Sequence, residues 1–176
     1  AYSTCLRGQL SSNVRPHKPT MRALVLSLAT TAGATAALLY GFDRLENPQR
    51  EYVALTDEVY LGGWVPRLLP PSAVDIRTQH NIDTSEVWVR FKVGTPNFSP
   101  ADLGYRPMEP ANWPTQVRQP RHANWWFKSL SDFSPRDATL YVGTCQDASA
   151  GAPARSGHML MVAGEVYFWC GSASAA

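Results

Sequence analysis

Ser72, His80 and Asp83 lie close together in sequence and carry the side chains of a hydrolytic site. A serine, an imidazole and a carboxylate act as nucleophile, general base and orienting group when they converge in space. Ser72 lacks the Gly-x-Ser-x-Gly turn that exposes a nucleophile, and its position before a helical segment is typical of a cap. The spacing therefore does not predict an enzyme, although distant residues such as His80, Asp83, His122 and His158 could still assemble a site.

The histidines give no sign of a metal site. His17, His80, His122 and His158 occur singly, and no two of them have the i, i+4 spacing that places two imidazoles on one metal. The sequence also lacks a Cys-x-x-Cys pair, a Walker loop and a Gly-x-Gly-x-x-Gly turn. We expect neither a metal nor a cofactor.

Two of the three cysteines, Cys145 and Cys170, lie on strands that we predict to be neighbours in the C-terminal part of the chain, whereas Cys5 lies in a basic N-terminal tail. In an oxidising compartment Cys145 and Cys170 would form a disulfide that closes a loop of about 25 residues, and Cys5 would stay reduced. The alternative is that both are buried free thiols.

A cluster of large aromatic residues occurs in a proline-rich region. Trp113, Trp125 and Trp126 lie beside basic residues that include Arg121. If exposed, these residues would form a binding surface for a sugar ring or for a partner's apolar side chain. The alternative is that the tryptophans fill the core of a domain with few long helices.

A membrane segment is predicted over residues 23–42, which are uncharged and long enough to span a hydrocarbon core as a helix. Residues 1–22 contain four basic side chains and no acidic one, so the positive-inside rule leaves the N-terminus in the cytoplasm. We expect a single-pass anchor in the inner (cytoplasmic) membrane with a periplasmic C-terminal domain. The alternatives are a signal peptide cleaved near 34–36, which would release the domain into the periplasm, and a buried helix.

The charge of the rest of the chain excludes one class of partner. The net charge of +2 comes from the basic tail, because residues 43–176 carry 12 basic and 14 acidic side chains. A nucleic-acid-binding domain requires a basic surface. We therefore expect no nucleic-acid partner.

Residue patterns predict short elements and an α+β domain built on a mostly antiparallel sheet of four or five strands. A Ser-x-x-Asp cap at Ser72 predicts a helix over 73–80, and strict alternation predicts a strand over 86–93. Three more strands are predicted over 138–145 and 158–170. The predicted organisation begins with a basic cytoplasmic tail over 1–22, of which the part before Met21 could be untranslated. A membrane segment over 23–42 and a polar connector over 43–60 follow. The domain spans 61–170, and a frayed tail spans 171–176.

Residues 62–76 contain a Trp-x-Pro motif and a Leu-Pro-x-Ser-Ala motif, and an Asp-containing turn at Asp83 and a strand that bears Trp88 follow. This arrangement resembles that of small uncharacterised bacterial envelope proteins, which are membrane-anchored or exported. The resemblance implies a place in the envelope and has no catalytic residue to carry over.

We therefore expect a membrane-anchored extracytoplasmic domain that binds another envelope protein or an envelope polymer without catalysing a reaction. Two alternatives stay open. One is an enzyme with a site assembled from distant residues such as His80 and Asp83. The other is an accessory subunit of a membrane complex, in which Gly33, Ala34 and Ala37 would pack against another helix.

Overall fold

The computed structural model describes residues 21–63, 65–94, 98–145 and 155–171, with side chains from residue 30 onward. The chain divides into two units, one ending at Gly41 and one beginning at Phe42. The predicted basic tail before Met21, Cys5 and the predicted frayed tail after Gly171 lie outside the described residues.

A single long helix, α1, runs from Met21 to Glu46 and contains the predicted membrane segment. Leu38 and Leu39 on this helix are 63% and 66% exposed. In the part of the chain that the structure describes, no helix is both long enough and apolar enough to cross a membrane.

The second unit is built on one antiparallel sheet of seven strands in the order β1-β2-β3-β7-β6-β5-β4. The helix α2 and three short 3₁₀ turns complete it, so the fold is α+β-like with few helices. The strands and helix are β1 (Gln49–Ala54), α2 (Asp57–Leu61), β2 (Ala73–Asn81), β3 (Glu86–Val93), β4 (Arg106–Pro107), β5 (Ala138–Thr144), β6 (Ser156–Val162) and β7 (Glu165–Gly171). The 3₁₀ turns are Pro100–Leu103, Pro110–Asn112 and Leu130–Asp132.

The predicted helix over 73–80 is wrong, because these residues form strand β2, which pairs with both β1 and β3. Ser72 does not cap a helix, and its carbonyl accepts a hydrogen bond from the Gly94 amide at 3.2 Å. The Asp expected to complete the cap, Asp75, has a φ of 51° where the register with β3 shifts. A Ser-x-x-Asp sequence can thus lead into a bulged strand when β-branched residues alternate after it.

The segment over 43–60, predicted as a polar connector, contributes to the domain. It contains the end of α1, the sheet strand β1 and the helix α2. Thr56 caps α2 by accepting a hydrogen bond from the Val59 amide at 3.3 Å. The polar composition of this segment misled the prediction, because β1 is an edge strand of the sheet, where charged side chains are common.

The predicted strand over 86–93 is confirmed. β3 has the predicted bounds, Glu86–Val93, and a one-turn helix begins at Pro100. The β6–β7 hairpin turns through Ala163 and Gly164, whose φ angles of 48° and 81° are those of a two-residue type I′ turn.

Both faces of the sheet are covered. On one face Val89, Phe91 and Phe168 belong to a cluster that also contains Tyr105. On the other face the core contains Trp88 together with Tyr167, Trp169 and the aromatic side chains of the loop between β4 and β5. Trp88 is 4% exposed on a strand inside the sheet.

The predicted disulfide between Cys145 and Cys170 is present, with the two Cα atoms 6.0 Å apart. The strands that lead to these cysteines are not neighbours, as the sequence had suggested, because β6 lies between β5 and β7. The bridge passes close to Gly157 of β6, where an added Cβ would lie 3.3 Å from the Cys145 sulfur. A glycine at this position therefore leaves room for the disulfide.

Candidate functional site

The residues proposed as a dispersed catalytic site do not converge. His80 lies on β2 and His158 on β6, and two strands separate them in the sheet. Asp83 lies exposed in the turn between β2 and β3. His122 contacts Asp43 at the end of α1, with Nε2 2.6 Å from the carboxylate. These positions give no nucleophile with a base beside it.

The Asp43 carboxylate joins the C-terminal end of α1 to the loop that carries Arg121 and His122. Its two oxygens accept hydrogen bonds from the Arg121 guanidinium and from His122. These hydrogen bonds, first that of His122 and then that of Arg121, hold the pKa of Asp43 below its usual value. Arg121, one of the residues of the possible binding surface, is therefore held in an ion pair within the domain.

Two of the three tryptophans that the sequence offered either as a binding surface or as core residues lie in the core. Trp125 and Trp126 are each 7% exposed. Trp126 makes edge contacts with Tyr167 and Trp169, with ring centroids 5.4 Å and 6.1 Å apart. Trp113 is half-buried, and its indole nitrogen donates to the Met108 carbonyl at 3.2 Å. Of the two alternatives left open by the sequence, Trp125 and Trp126 follow the second and fill the core, because the sheet face below them needs large apolar side chains to cover it.

A cleft of about 300 Å³ lies on this same face at the end of the sheet where β3 begins and β7 ends. Its floor is a row of cross-strand neighbours in which Trp88 lies opposite Trp169, and Trp169 lies opposite His158. The rings of His158 and Trp169 stack with centroids 5.0 Å apart and planes 9° apart. Residues of the loop between β4 and β5, among them Gln116 and Arg118, form the opposite wall.

Glu86, the first residue of β3, places a buried carboxylate in the cleft. The residue is only 2% exposed. Its carboxylate accepts a hydrogen bond from the Thr84 hydroxyl at 2.6 Å and lies 3.0 Å from Nη1 of Arg118. An added Cβ at Gly171 would lie 3.1 Å from a Glu86 oxygen, so glycine at the end of β7 makes room for the carboxylate. A buried carboxylate of this kind is stabilised by its hydrogen-bond and ion-pair partners.

The wall that carries Arg118 is fixed to the floor. The Trp88 indole nitrogen donates a hydrogen bond to the Arg118 carbonyl at 3.0 Å. Trp88 therefore has two roles, since it fills the core and positions the residue that neutralises Glu86. The Arg118 side chain itself is 53% exposed and lines the cleft.

His158 has hydrogen-bonding capacity that the described protein atoms do not use. Its Nδ1 is buried and has no hydrogen-bond partner among the described residues. Burial lowers the pKa of His158 below the ordinary value of 6.5, which favours the neutral imidazole. A neutral imidazole carries one donor and one acceptor.

Among the described residues that line the cleft, no nucleophile is paired with a base. In the described part of the chain no hydrogen bond joins His158 or Ser156 to Glu86, although all three line the cleft. Nucleophilic catalysis requires a base within hydrogen-bond distance of the nucleophile. Among the described residues there is also no group of three His, Cys, Asp or Glu side chains that could hold a metal ion.

Sequence reasoning singled out His158 but missed Glu86 and Arg118 as partners in a site. The sequence contains one indication that Glu86 belongs to this site, because alternation along β3 places it on the same face as Trp88. The contribution of β7 and β6 to this face depends on a strand order that no local pattern reveals.

One segment of the chain matches a known family model. Residues 55–92, which include α2, β2 and nearly all of β3, match the model of the YbbD head domain, a bacterial family. No match was found among curated proteins or among solved structures. The segment that supplies Glu86 and Trp88 to the cleft is thus similar to the YbbD head domain.

Proposed function

We propose that this protein is a membrane-anchored binding domain of the bacterial envelope, and that the cleft between Glu86 and His158 holds its ligand. The observation that carries the proposal is the construction of the cleft. A buried carboxylate, its guanidinium partner and an aromatic floor are fixed on strands of the sheet. Sites on rigid elements hold a ligand in one geometry.

A binding role fits the chemistry of the cleft better than an enzymatic role does. The Glu86 carboxylate is engaged by Arg118 and Thr84, so its charge is compensated before any ligand arrives. A general acid or base must instead exchange a proton with the substrate. The partly exposed Arg118 side chain, held by the buried Glu86, is therefore the polar group that this pair offers to a ligand.

The proposed location rests on the sequence and the disulfide. Residues 23–42 are uncharged and follow four basic side chains, which is the arrangement of a signal anchor. The Cys145–Cys170 disulfide suits an oxidising compartment such as the periplasm. The similarity of residues 55–92 to a bacterial family agrees with a bacterial protein.

Photo-crosslinking in bacterial cells tests this function. A benzophenone amino acid replaces Gln116, which lines the cleft and is exposed. We expect ultraviolet light to give an adduct with an envelope component at this position. The matched control carries the same group at Arg136, which is exposed and outside the cleft lining. Equal adducts at both positions, or none at Gln116, would contradict the proposal.

A further inference from the structure

We propose that the domain rests on the lipid surface through the region where the end of α1 meets the turn between β2 and β3, with Ile82 inserted among the lipids. This inference rests on the membrane anchoring in the proposed function and names the part of the domain that contacts the bilayer. The region, residues 42–47 and 81–85, is the junction. Its exposed apolar side chains, its hydrogen bonds and its place in the chain support the contact.

Large apolar side chains are exposed at the junction. Phe42 and Leu45, near the end of α1, are 60% and 70% exposed, and Ile82 in the turn is 59% exposed. Phe42 and Leu45 are three residues apart in the helix, so they lie on one face of it. Exposed apolar side chains that occur together mark a protein interface or a membrane contact.

Hydrogen bonds hold the turn beside the end of α1. The Ile82 amide donates to the Glu46 carbonyl at 2.9 Å. The Asn81 side-chain amide donates to Oδ1 of Asn47 at 2.9 Å. Asn47 is itself 3% exposed, and its side-chain nitrogen donates to the Asp43 carbonyl at 3.0 Å. Ile82 therefore cannot move away from this helix end without breaking these hydrogen bonds.

The chain leads directly from the junction into the segment predicted to enter the membrane. Residues 23–42 contain no charged side chain, and charged residues return at Asp43. Tyr40, a residue type enriched at membrane–water interfaces, comes just before this boundary. Glu46, to which Ile82 is bonded, follows Phe42 by four residues, or about 6 Å along a helix. The headgroup layer is about 5–8 Å thick on each side of the hydrocarbon, so Ile82 reaches the lipid surface.

The charge of the junction is close to balanced. The junction contains one basic and three acidic residues, namely Arg44, Asp43, Glu46 and Asp83. Arg121 pairs with Asp43, and Arg155 donates to the carbonyls of Thr84 and Ser85. These two guanidinium groups offset the acidic excess. Apolar contact therefore drives the association, and we expect it to persist in uncharged lipid and at high salt.

Quenching by brominated lipids tests the contact. The full chain with Cys5→Ser is reconstituted into phosphatidylcholine vesicles, with a nitrobenzoxadiazole label on Ile82→Cys. Bromine atoms on the acyl chains quench a label that touches the hydrocarbon. The control label is on Leu61→Cys, because Leu61 is 86% exposed and follows the end of β1 that is farther from the junction. We expect quenching at Ile82 to be roughly twofold stronger than at Leu61, or more.

Two results would overturn the inference. One is equal quenching at Ile82 and Leu61. The other is a label at Ile82 that is shielded from water but not quenched, since a second copy of the chain or another protein would then cover the junction. Asp83→Cys gives a second label position in the same turn, which is exposed. We expect this position also to be quenched more strongly than Leu61.

Flotation of the vesicles after an alkaline wash separates this inference from the proposed function. If the full chain floats with the vesicles but the labels at Ile82 and Asp83 are not quenched, the anchoring stands and the lipid contact of the junction fails. If the chain does not float, the anchoring itself fails. The crosslinking experiment at Gln116 tests the cleft independently of both results.

Discussion

At the scale of single residues, Trp88 connects stability with the candidate site. Its indole ring packs in the core between strands, and its N–H group holds the Arg118 carbonyl. Arg118 in turn neutralises the buried Glu86. A change at Trp88 therefore affects both the core and the cleft.

We expect Trp88→Ala to lower the free energy of unfolding by about 3–5 kcal/mol, as other large-to-small aromatic changes in cores do. Trp88→Phe keeps most of the apolar volume but removes the hydrogen bond to Arg118, and should cost about 1–2 kcal/mol. Urea denaturation measures both, with Trp113→Ala as the half-buried control. A Trp88→Ala variant as stable as the Trp113→Ala variant would contradict the assignment of Trp88 to the core.

Close packing at glycine gives a second prediction at this scale. An added Cβ at Gly143 would lie 2.7 Å from the Tyr105 ring, which is buried. We expect Gly143→Ala to destabilise the domain by about 1–3 kcal/mol, since overpacking forces the ring to move. Gly41→Ala is the control, because an added Cβ there meets no atom within 4 Å. Equal thermal stability of the two variants would argue against this packing.

At the scale of elements, an ion pair joins the middle of β3 to the first residue of β7. Arg90 of β3 donates to Glu165 of β7 at 2.6 Å, and Tyr167 donates to the same carboxylate at 2.9 Å. The hydrogen bond from Arg90 is the main cause that holds the pKa of Glu165 below its usual value of 4.5. The charged carboxylate is therefore favoured in the folded state.

This arrangement predicts a pH dependence. The contribution of Glu165 to stability is fully present above its unfolded pKa, near 4.5, and is lost as the pH falls through the lower folded pKa. Glu165→Gln should therefore remove part of the fall in Tm between pH 6 and pH 3. Glu109→Gln, an exposed site outside this network, is the control. A Glu165→Gln profile parallel to that of the unaltered protein would refute the linkage.

The elements also show what the sequence could and could not predict. β3 was predicted because its alternation is local and strict. β2 was not, because Ser72 and Asp75 imitate a helix cap, whereas pairing with β1 and β3 decides the conformation. The cleft was beyond local patterns, since Glu86 and His158 meet through the order β3-β7-β6, which joins residues far apart in the chain.

At the scale of the whole molecule, the Cys145–Cys170 disulfide constrains the C-terminal part of the sheet. In the chain-entropy model, a bridge with this separation of 25 residues contributes about 3 kcal/mol. Cys145→Ser and Cys170→Ser should therefore destabilise the domain equally, and the double variant should be little worse than either. Unfolded, unreduced protein should have one free thiol, that of Cys5, where residues 1–20 are translated, and none where translation starts at Met21. Three free thiols in protein taken from its native compartment would remove the bridge.

The central claim is that the domain works on the outer side of the cytoplasmic membrane. A reporter enzyme that is active only outside the cytoplasm, fused after Ala176, measures this directly in bacterial cells. We predict that the fusion is active and stays with the membrane fraction, because residues 23–42 follow four basic side chains and contain no charge. Activity of a cytoplasm-only reporter at the same position, with a silent export reporter, would contradict the account.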